Sequence, residues 1–316
     1  MTPDRVESTE SAERYISLRV LLSEQCDLSC TFCHNEGQPG QSAELGITPQ
    51  FLGDIVKSLK RLGSVQVKLS GGEPTRHPNF RQFVYSCLAA QPREVVIISN
   101  GNNSSAFEQV LGLDGLRVSL NLPTNISTEY ERITGGSFNA VISTARLLER
   151  AGHPVAFNSY WPRSRAVHKL DQLINLAQSL GVDLKILCPC QLVEGSAQKE
   201  YASALSDYIQ TRGFKLTNIR NHVRYFVRDS LIVRIQRPWC PDICRTASGR
   251  DVTLRITASG LIHSCLSRDL GYHGSVHAPL DVVMKRLEQA ASAAGRTCGS
   301  TRISVPILRR SREANE

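Results

Sequence analysis

The chain has 316 residues, of which 41% are hydrophobic and 21% charged, and a formal net charge of +8. That length and apolar share are enough for a full α/β core. The absence of an apolar run of about 18 residues excludes a membrane-spanning helix, and the polar start is not signal-like, so we expect a soluble, cytoplasmic protein without a disulfide framework. Part of the positive charge lies near the end of the sequence, at Arg296, Arg302, Arg309, Arg310 and Arg312. With no aromatic stripe between basic residues, it reads as a solvated tail and an anionic substrate, not as a nucleic-acid surface.

Residues 1–14 form a polar tail, and residues 15–22 read as a first strand that runs into a loop holding Cys26, Cys30 and Cys33. Three thiolates at this spacing can hold three irons of a 4Fe-4S cubane and leave the fourth open. A zinc site would want a fourth ligand, for which His34 is nearest. Thr48-Pro49 predicts the N-cap and first position of an amphipathic helix reaching about Leu62. The apolar strand 65–69 leads directly into Ser70-Gly71-Gly72-Glu73-Pro74, followed by a helix over about 79–90 in which Cys87 is a small buried hydrophobe. The alternation continues with strand 94–99 closed by Asn100-Gly101, strand 116–121, helix 138–151, strand 155–159, helix 166–180 and strand 184–188.

Six strands alternating with helices predict a parallel sheet with right-handed crossovers, and periodicity alone leaves open whether it is doubly wound or a barrel. Either architecture puts ligands at the C-terminal ends of the strands. The cysteine loop, residues 71–74, Asn100, Asn121, Asn158 and Cys188 all fall at those ends. Beyond about Phe214 the pattern shortens to strands 222–227 and 231–236, then Cys240 and Cys244. A hairpin follows over 252–265, ending in Cys265, and a last helix over 281–293.

The cysteine triplet followed by the Gly-Gly-Glu-Pro loop resembles the radical S-adenosylmethionine (SAM) enzymes. The resemblance implies an α/β fold with a partial (β/α)6 barrel, a 4Fe-4S cluster on Cys26, Cys30 and Cys33, and SAM held by Gly71, Gly72, Glu73, Asn100 and Ser119, with Asn121 and Asn158. It also implies an electron from a reductase, flavodoxin or ferredoxin, and a 5'-deoxyadenosyl radical that removes hydrogen from a small-molecule substrate. More narrowly, Cys240, Cys244 and Cys265, the segment 254–266 and Ile133-Thr134-Gly135-Gly136-Ser137 are similar to the GTP 3',8-cyclase family of molybdenum-cofactor biosynthesis, over roughly residues 15 to 270. That likeness implies a second 4Fe-4S cluster on Cys240, Cys244 and Cys265. A zinc knuckle completed by His263 or Cys298 is the alternative. The expected division is a tail at 1–14, the barrel at 15–214, an auxiliary-cluster region at 215–295 and a basic tail at 296–316.

The chain departs from the cyclase pattern where that pattern is basic. Gln25 stands before the first cysteine, Gln66 and Lys68 before the glycine loop, Ala156 on the fifth strand, and Thr253 with Arg255 in the hairpin. A buried triphosphate needs several charge-assisted donors, each contributing about 1.5–3 kcal/mol, so the substrate expected is another nucleoside, nucleotide or sugar-derived molecule, contacted by Lys68 and Arg255. Cys188 and Cys190, absent from that pattern, are read as hydrogen-atom donors or cluster ligands, or as packing residues. Three other readings stay open: a true GTP 3',8-cyclase; a peptide-modifying radical SAM enzyme, disfavoured by the short segment before the first strand; and a noncatalytic iron-sulfur or zinc sensor.

Overall fold

The computed structural model describes residues 14–33, 46–189, 195–220, 223–236, 251–264 and 272–293. In chain order the first half comprises β1 (Tyr15–Leu21), α1 (Pro49–Leu59), β2 (Ser64–Ser70), α2 (Phe80–Ala89), β3 (Glu94–Ser99), α3 (Ser104–Glu108), β4 (Leu116–Asn121), α4 (Ser127–Thr134), α5 (Phe138–Arg150) and β5 (Val155–Tyr160). The second half comprises α6 (Leu170–Ser179), β6 (Asp183–Leu187), α7 (Gly195–Thr211), β7 (Lys215–Arg220), β8 (Val223–Arg228), β9 (Leu231–Gln236), β10 (Asp251–Ile256), β11 (Leu261–His263), β12 (Tyr272–Ser275) and α8 (Leu280–Ala293). Among the described residues no helix is long and apolar enough to cross a membrane.

Local chemistry explains the helices that fix the barrel. The Thr48 hydroxyl accepts a hydrogen bond from the Phe51 amide (3.2 Å), Pro49 occupies the first turn, and Leu52, Ile55, Val56 and Leu59 recur on one buried face of α1. Ser137 caps α5 in the same way through the Ala140 amide (3.3 Å). α4 stops at Gly135, whose φ of 75° is the left-handed conformation a side chain disfavours.

Among the described residues, twelve strands form one open sheet in the order β12-β11-β10-β1-β2-β3-β4-β5-β6-β9-β8-β7. From β10 to β9 every neighbouring pair is parallel, and antiparallel strands flank both ends. The six alternating strands of the sequence pattern are therefore extended in the same sense by β9, which had read only as a short alternating strand, and by β10, which had read as a hairpin strand. The sheet does not close, which makes it a partial barrel with its helices outside.

Strand alternation separates two chemistries. Ile16, Leu18 and Val20 of β1, Val65, Val67 and Leu69 of β2, and Leu116, Val118 and Leu120 of β4 are buried in one continuous core with the helices. Each fully buried side chain of this kind contributes about 1.5–3 kcal/mol, so this face sets the register. The intervening residues turn to the concave face, and there the side chains are polar.

Candidate functional site

Two regions make up the site: a rim of loops at the strands' C-terminal ends, and the concave wall beneath it. The rim is backbone packed on backbone. Leu22 donates its amide to the Ser70 carbonyl (2.8 Å), Gly72 to Ser23 (2.6 Å) and Glu73 to Gln25 (2.7 Å). This contact explains both glycines. A Cβ on Gly71, whose φ is +140°, would lie 2.5 Å from the Ser23 oxygen, and one on Gly72 would lie 2.1 Å from the Gln25 oxygen.

Glu73 is fully buried and locks this loop to the end of β3. One carboxylate oxygen accepts from the Thr75 amide (3.1 Å), the Thr75 hydroxyl (2.7 Å) and the Ser99 hydroxyl (2.8 Å). The other accepts from the Asn100 amide (2.7 Å). Burial raises its pKa against the pull of these four donors. Asn100 in turn donates its side-chain amide to Asp27 (2.7 Å), beside Cys26, so the expected SAM-contacting Glu73 and Asn100 also brace the cysteine loop.

A second brace comes from the Thr134-Gly135-Gly136-Ser137 segment. Ser29 and Thr31 donate their amides to the Thr134 and Ile133 carbonyls (2.9 Å each). A Cβ on Gly136 would press on Leu28 at 2.8 Å. The ring of Phe32 stacks on Tyr160 at the end of β5, with centroids 5.4 Å apart.

Burial, with the charges of Glu73, Asp27 and Cys33, pushes the Cys26 thiol up to about 11, and burial with the charges of Cys33 and Cys26 pushes that of Cys30 up to about 12. Such thiols are deprotonated only with a metal partner, and three that sense one another suit a cluster. Among the described residues no three His, Cys, Asp or Glu side chains close around a single metal ion, whereas a cubane spreads its three thiolates over three irons. His34 lies outside the described residues.

Below the rim, the concave wall is basic. In one register row, Arg255 of β10 pairs beside Arg19 of β1, Arg19 beside Lys68 of β2, Lys68 beside Val96 of β3, and Val96 beside Arg117 of β4. Across the barrel a second row runs Asn121, Asn158, Lys185, Arg234 along β4, β5, β6 and β9. All these cations are half-buried and line the hollow rather than the core. Arg117 makes a two-pronged ion pair with Glu94 (2.9 and 3.1 Å), and Arg234 pairs with Asp183 (2.6 Å). Burial opposes the Glu94 carboxylate, but the Arg117 hydrogen bonds and charge outweigh it and hold its pKa below the usual range. Burial together with Arg19, Arg117 and Arg255 pulls Lys68 down to about 7.

Lys68 and Arg255, expected from the motif, thus share a wall with Arg19, Arg117, Lys185 and Arg234, which the motif reading did not include. Their signal was a basic residue at alternate positions in otherwise apolar strands. Ser119 and Asn158 are buried on the same concave face, and the Asn158 side-chain oxygen has no hydrogen-bond partner in this structure.

For Cys188 the sequence left a hydrogen-atom donor, a cluster ligand and a packing residue open. It continues the alternation of Leu184 and Ile186, is 4% exposed and packs in the hydrophobic core, so it faces the helices and not the hollow. The packing alternative describes it. Cys190, Cys240, Cys244, Cys265 and Cys298 lie outside the described residues, while His263 is buried with its ring against Tyr272.

Comparison with known proteins fits this geometry. Residues 20–207 match the family model of the radical SAM superfamily. A probable GTP 3',8-cyclase from Methanococcus aeolicus is 28% identical over 80% of this chain and 86% of its own length. One from Saccharolobus islandicus is 31% identical over 80% and 83%. Among solved structures, Streptococcus suis SuiB bound to precursor peptide SuiA superposes with a TM-score of 0.63 at 16% identity, covering 84% of this chain and 64% of SuiB. Native anSMEcpe with bound AdoMet gives 0.60 at 13% identity, covering 88% and 82%. At those identities the structures establish the fold alone. A rim that braces three thiols against a glycine loop thus sits in a chain that belongs to the radical SAM superfamily, as an enzyme related to the GTP 3',8-cyclases.

Proposed function

We propose that this enzyme acts on a small anionic substrate, a nucleotide or a phosphorylated sugar-derived molecule, held in the hollow by its basic wall. The observation that carries this reading is the row Arg255, Arg19, Lys68, which sets three basic side chains next to one another across three parallel strands. Basic side chains side by side present convergent donors to one anion, and charge-assisted donors to phosphate are among the strongest polar contacts in proteins.

Cys26, Cys30 and Cys33 would hold the 4Fe-4S cluster, and Gly71, Gly72 and Ser119, with Asn121 and Asn158, would bind SAM. Bound together, the cluster and SAM supply a 5'-deoxyadenosyl radical able to remove a hydrogen atom from an unactivated carbon. The chain's own contribution is placement. Glu73, Asn100 and the Gly135-Gly136 brace fix the rim, and the basic wall sets how deep an anionic group sits. Cys240, Cys244 and Cys265 would hold a second cluster in the 215–295 region, next to the 15–214 barrel. A cytoplasmic reductase, flavodoxin or ferredoxin would supply the electron.

GTP itself is the second reading, because the relatives are named GTP 3',8-cyclases. Against it stand Gln25, Gln66 and Ala156 where that family is basic. Release of 5'-deoxyadenosine from the anaerobically reconstituted enzyme discriminates among the readings. Stimulation by nucleotides or sugar phosphates other than GTP is expected. Stimulation by GTP alone would establish the second reading, and stimulation by peptides and not by phosphorylated compounds would overturn both.

A further inference from the structure

Three atoms close a small triangle where the cysteine loop meets the end of β3. The side-chain nitrogen Nδ2 of Asn100 donates to Asp27 Oδ1 at 2.7 Å. The Cys26 sulfur lies 3.9 Å from that same oxygen and 3.9 Å from that same nitrogen. The Leu28 amide, 3.4 Å away, is a further donor to the sulfur. The orientation of the Asn100 carboxamide is fixed by its other end: a backbone N–H can only donate, and that of Asn102 donates to Asn100 Oδ1 at 2.9 Å, so Nδ2 must face Asp27 and Cys26. The backbone amide of Asn100 is held by the buried Glu73 (2.7 Å), and the side chain of Asn102 by the Ser137 amide (2.8 Å).

While Cys26 is a thiol, the triangle asks little of Asp27. A Cys26 thiolate changes it, because a carboxylate and a thiolate then face one another at 3.9 Å, joined by the NH2 group of Asn100 that both share. The charge of Asp27 is also felt at Cys30. The reduction potential of an iron-sulfur cluster follows its net charge, its exposure and the hydrogen bonds to its sulfurs. A negative charge beside a ligand sulfur opposes the arrival of an electron, and an N–H aimed at that sulfur favours it.

We propose that Asp27 is a positioning residue that sets the reduction potential of the cluster on Cys26, Cys30 and Cys33: its carboxylate lowers that potential, and its hydrogen bond to Asn100 holds the shared donor beside the Cys26 sulfur. The lower potential makes the reduced centre a stronger one-electron donor, which is what cleavage of SAM demands. The proposal rests on the reading of these three cysteines as ligands and adds a residue outside the ligand set. No bond in the protein changes; the electron comes from the same reductase, flavodoxin or ferredoxin.

Anaerobic potentiometric titration of the reconstituted full-length enzyme, read by electron paramagnetic resonance, tests this. The signal that changes when SAM is added identifies the cluster with an open iron and separates it from a second one. Asp27→Asn removes the charge and keeps an oxygen for Asn100; it should make reduction about tenfold easier, an upward shift of about 59 mV for one electron. Asp27→Glu, which keeps the charge, should stay near the wild-type potential. Asp27→Ser, smaller and also neutral, carries the same prediction as Asp27→Asn and decides if the asparagine variant loses its cluster. A neutral variant with the wild-type potential, its iron content and SAM response retained, overturns the proposal and leaves the ligand assignment standing. An Asp27→Glu potential as high as that of Asp27→Asn traces the shift to distortion and overturns it too. A wild-type enzyme with no SAM-responsive signal overturns the ligand assignment and the proposal with it.

Discussion

The rim and the wall of this barrel are built on opposite principles. The rim is made of loops in which backbone meets backbone: Gly72 lies so close to Gln25 that no side chain fits, and Glu73 directs its hydrogen-bonding capacity to Thr75, Ser99 and Asn100. The wall is made of regular strands whose outer face is an ordinary apolar core and whose inner face carries charges that meet only through register. The rim is specified by contiguous residues, with no room for a side chain at Gly71 or Gly72. The wall is dispersed over eight parallel strands, each contributing single residues to its inner face.

That contrast can be broken experimentally. The largest effect belongs to the rim. Gly72→Ala must push the cysteine loop aside, and a displacement of about 1 Å at a reacting centre costs about 100-fold, so SAM cleavage measured by deoxyadenosine release should fall by at least that factor. A Cys240/Cys244/Cys265→Ala variant should hold about four irons after reconstitution where the wild type holds about eight; about four in both would assign the second triplet to zinc or to packing.

The wall predicts a smaller effect of opposite sign. The folded Lys68 pKa, about 7, lies below the ordinary 10.5, so between those values the unfolded chain holds a proton that the folded chain has released. Stability therefore rises with pH across that window, and the penalty is complete below it. Lys68→Met should stabilise the fold by about 1–2 kcal/mol near neutral pH, allowing for water in the hollow, with the gain vanishing above 10.5. Urea denaturation at two pH values measures it, and a gain independent of pH would mean that charge crowding is not its source. The smallest effect is Cys188→Ala, which should cost about 1 kcal/mol of core packing and leave turnover intact. A large loss of turnover would return the thiol to the reaction.

The same contrast explains what could be read from the sequence. Cys26, Cys30, Cys33 and Gly71 to Pro74 are contiguous motifs, and the strands before and after them follow from a hydrophobic period that tertiary packing enforces. Lys68 and Arg255 were visible because they stand next to motifs. Arg19, Arg117, Lys185 and Arg234 were not, because a single charge in an apolar strand has no meaning until the register rows bring it beside others. Cys188 stayed open between a role in the reaction and packing for a related reason: one residue along a strand reverses the face, and Leu184 and Ile186 already marked that face as core. The parallel pairing of β9 and β10 was hidden because both strands pair with partners distant in sequence.

The most direct test of the account compares a nucleotide or sugar-phosphate substrate with the same compound lacking its phosphate, in wild type and in Lys68→Met/Arg255→Met. Two charge-assisted donors at about 1.5–3 kcal/mol each predict a wild-type preference in kcat/KM for the phosphorylated form of at least roughly 100-fold, and its collapse in the double variant with iron content retained. Equal use of both compounds by the wild type, or a preference that survives the loss of Lys68 and Arg255, would contradict it.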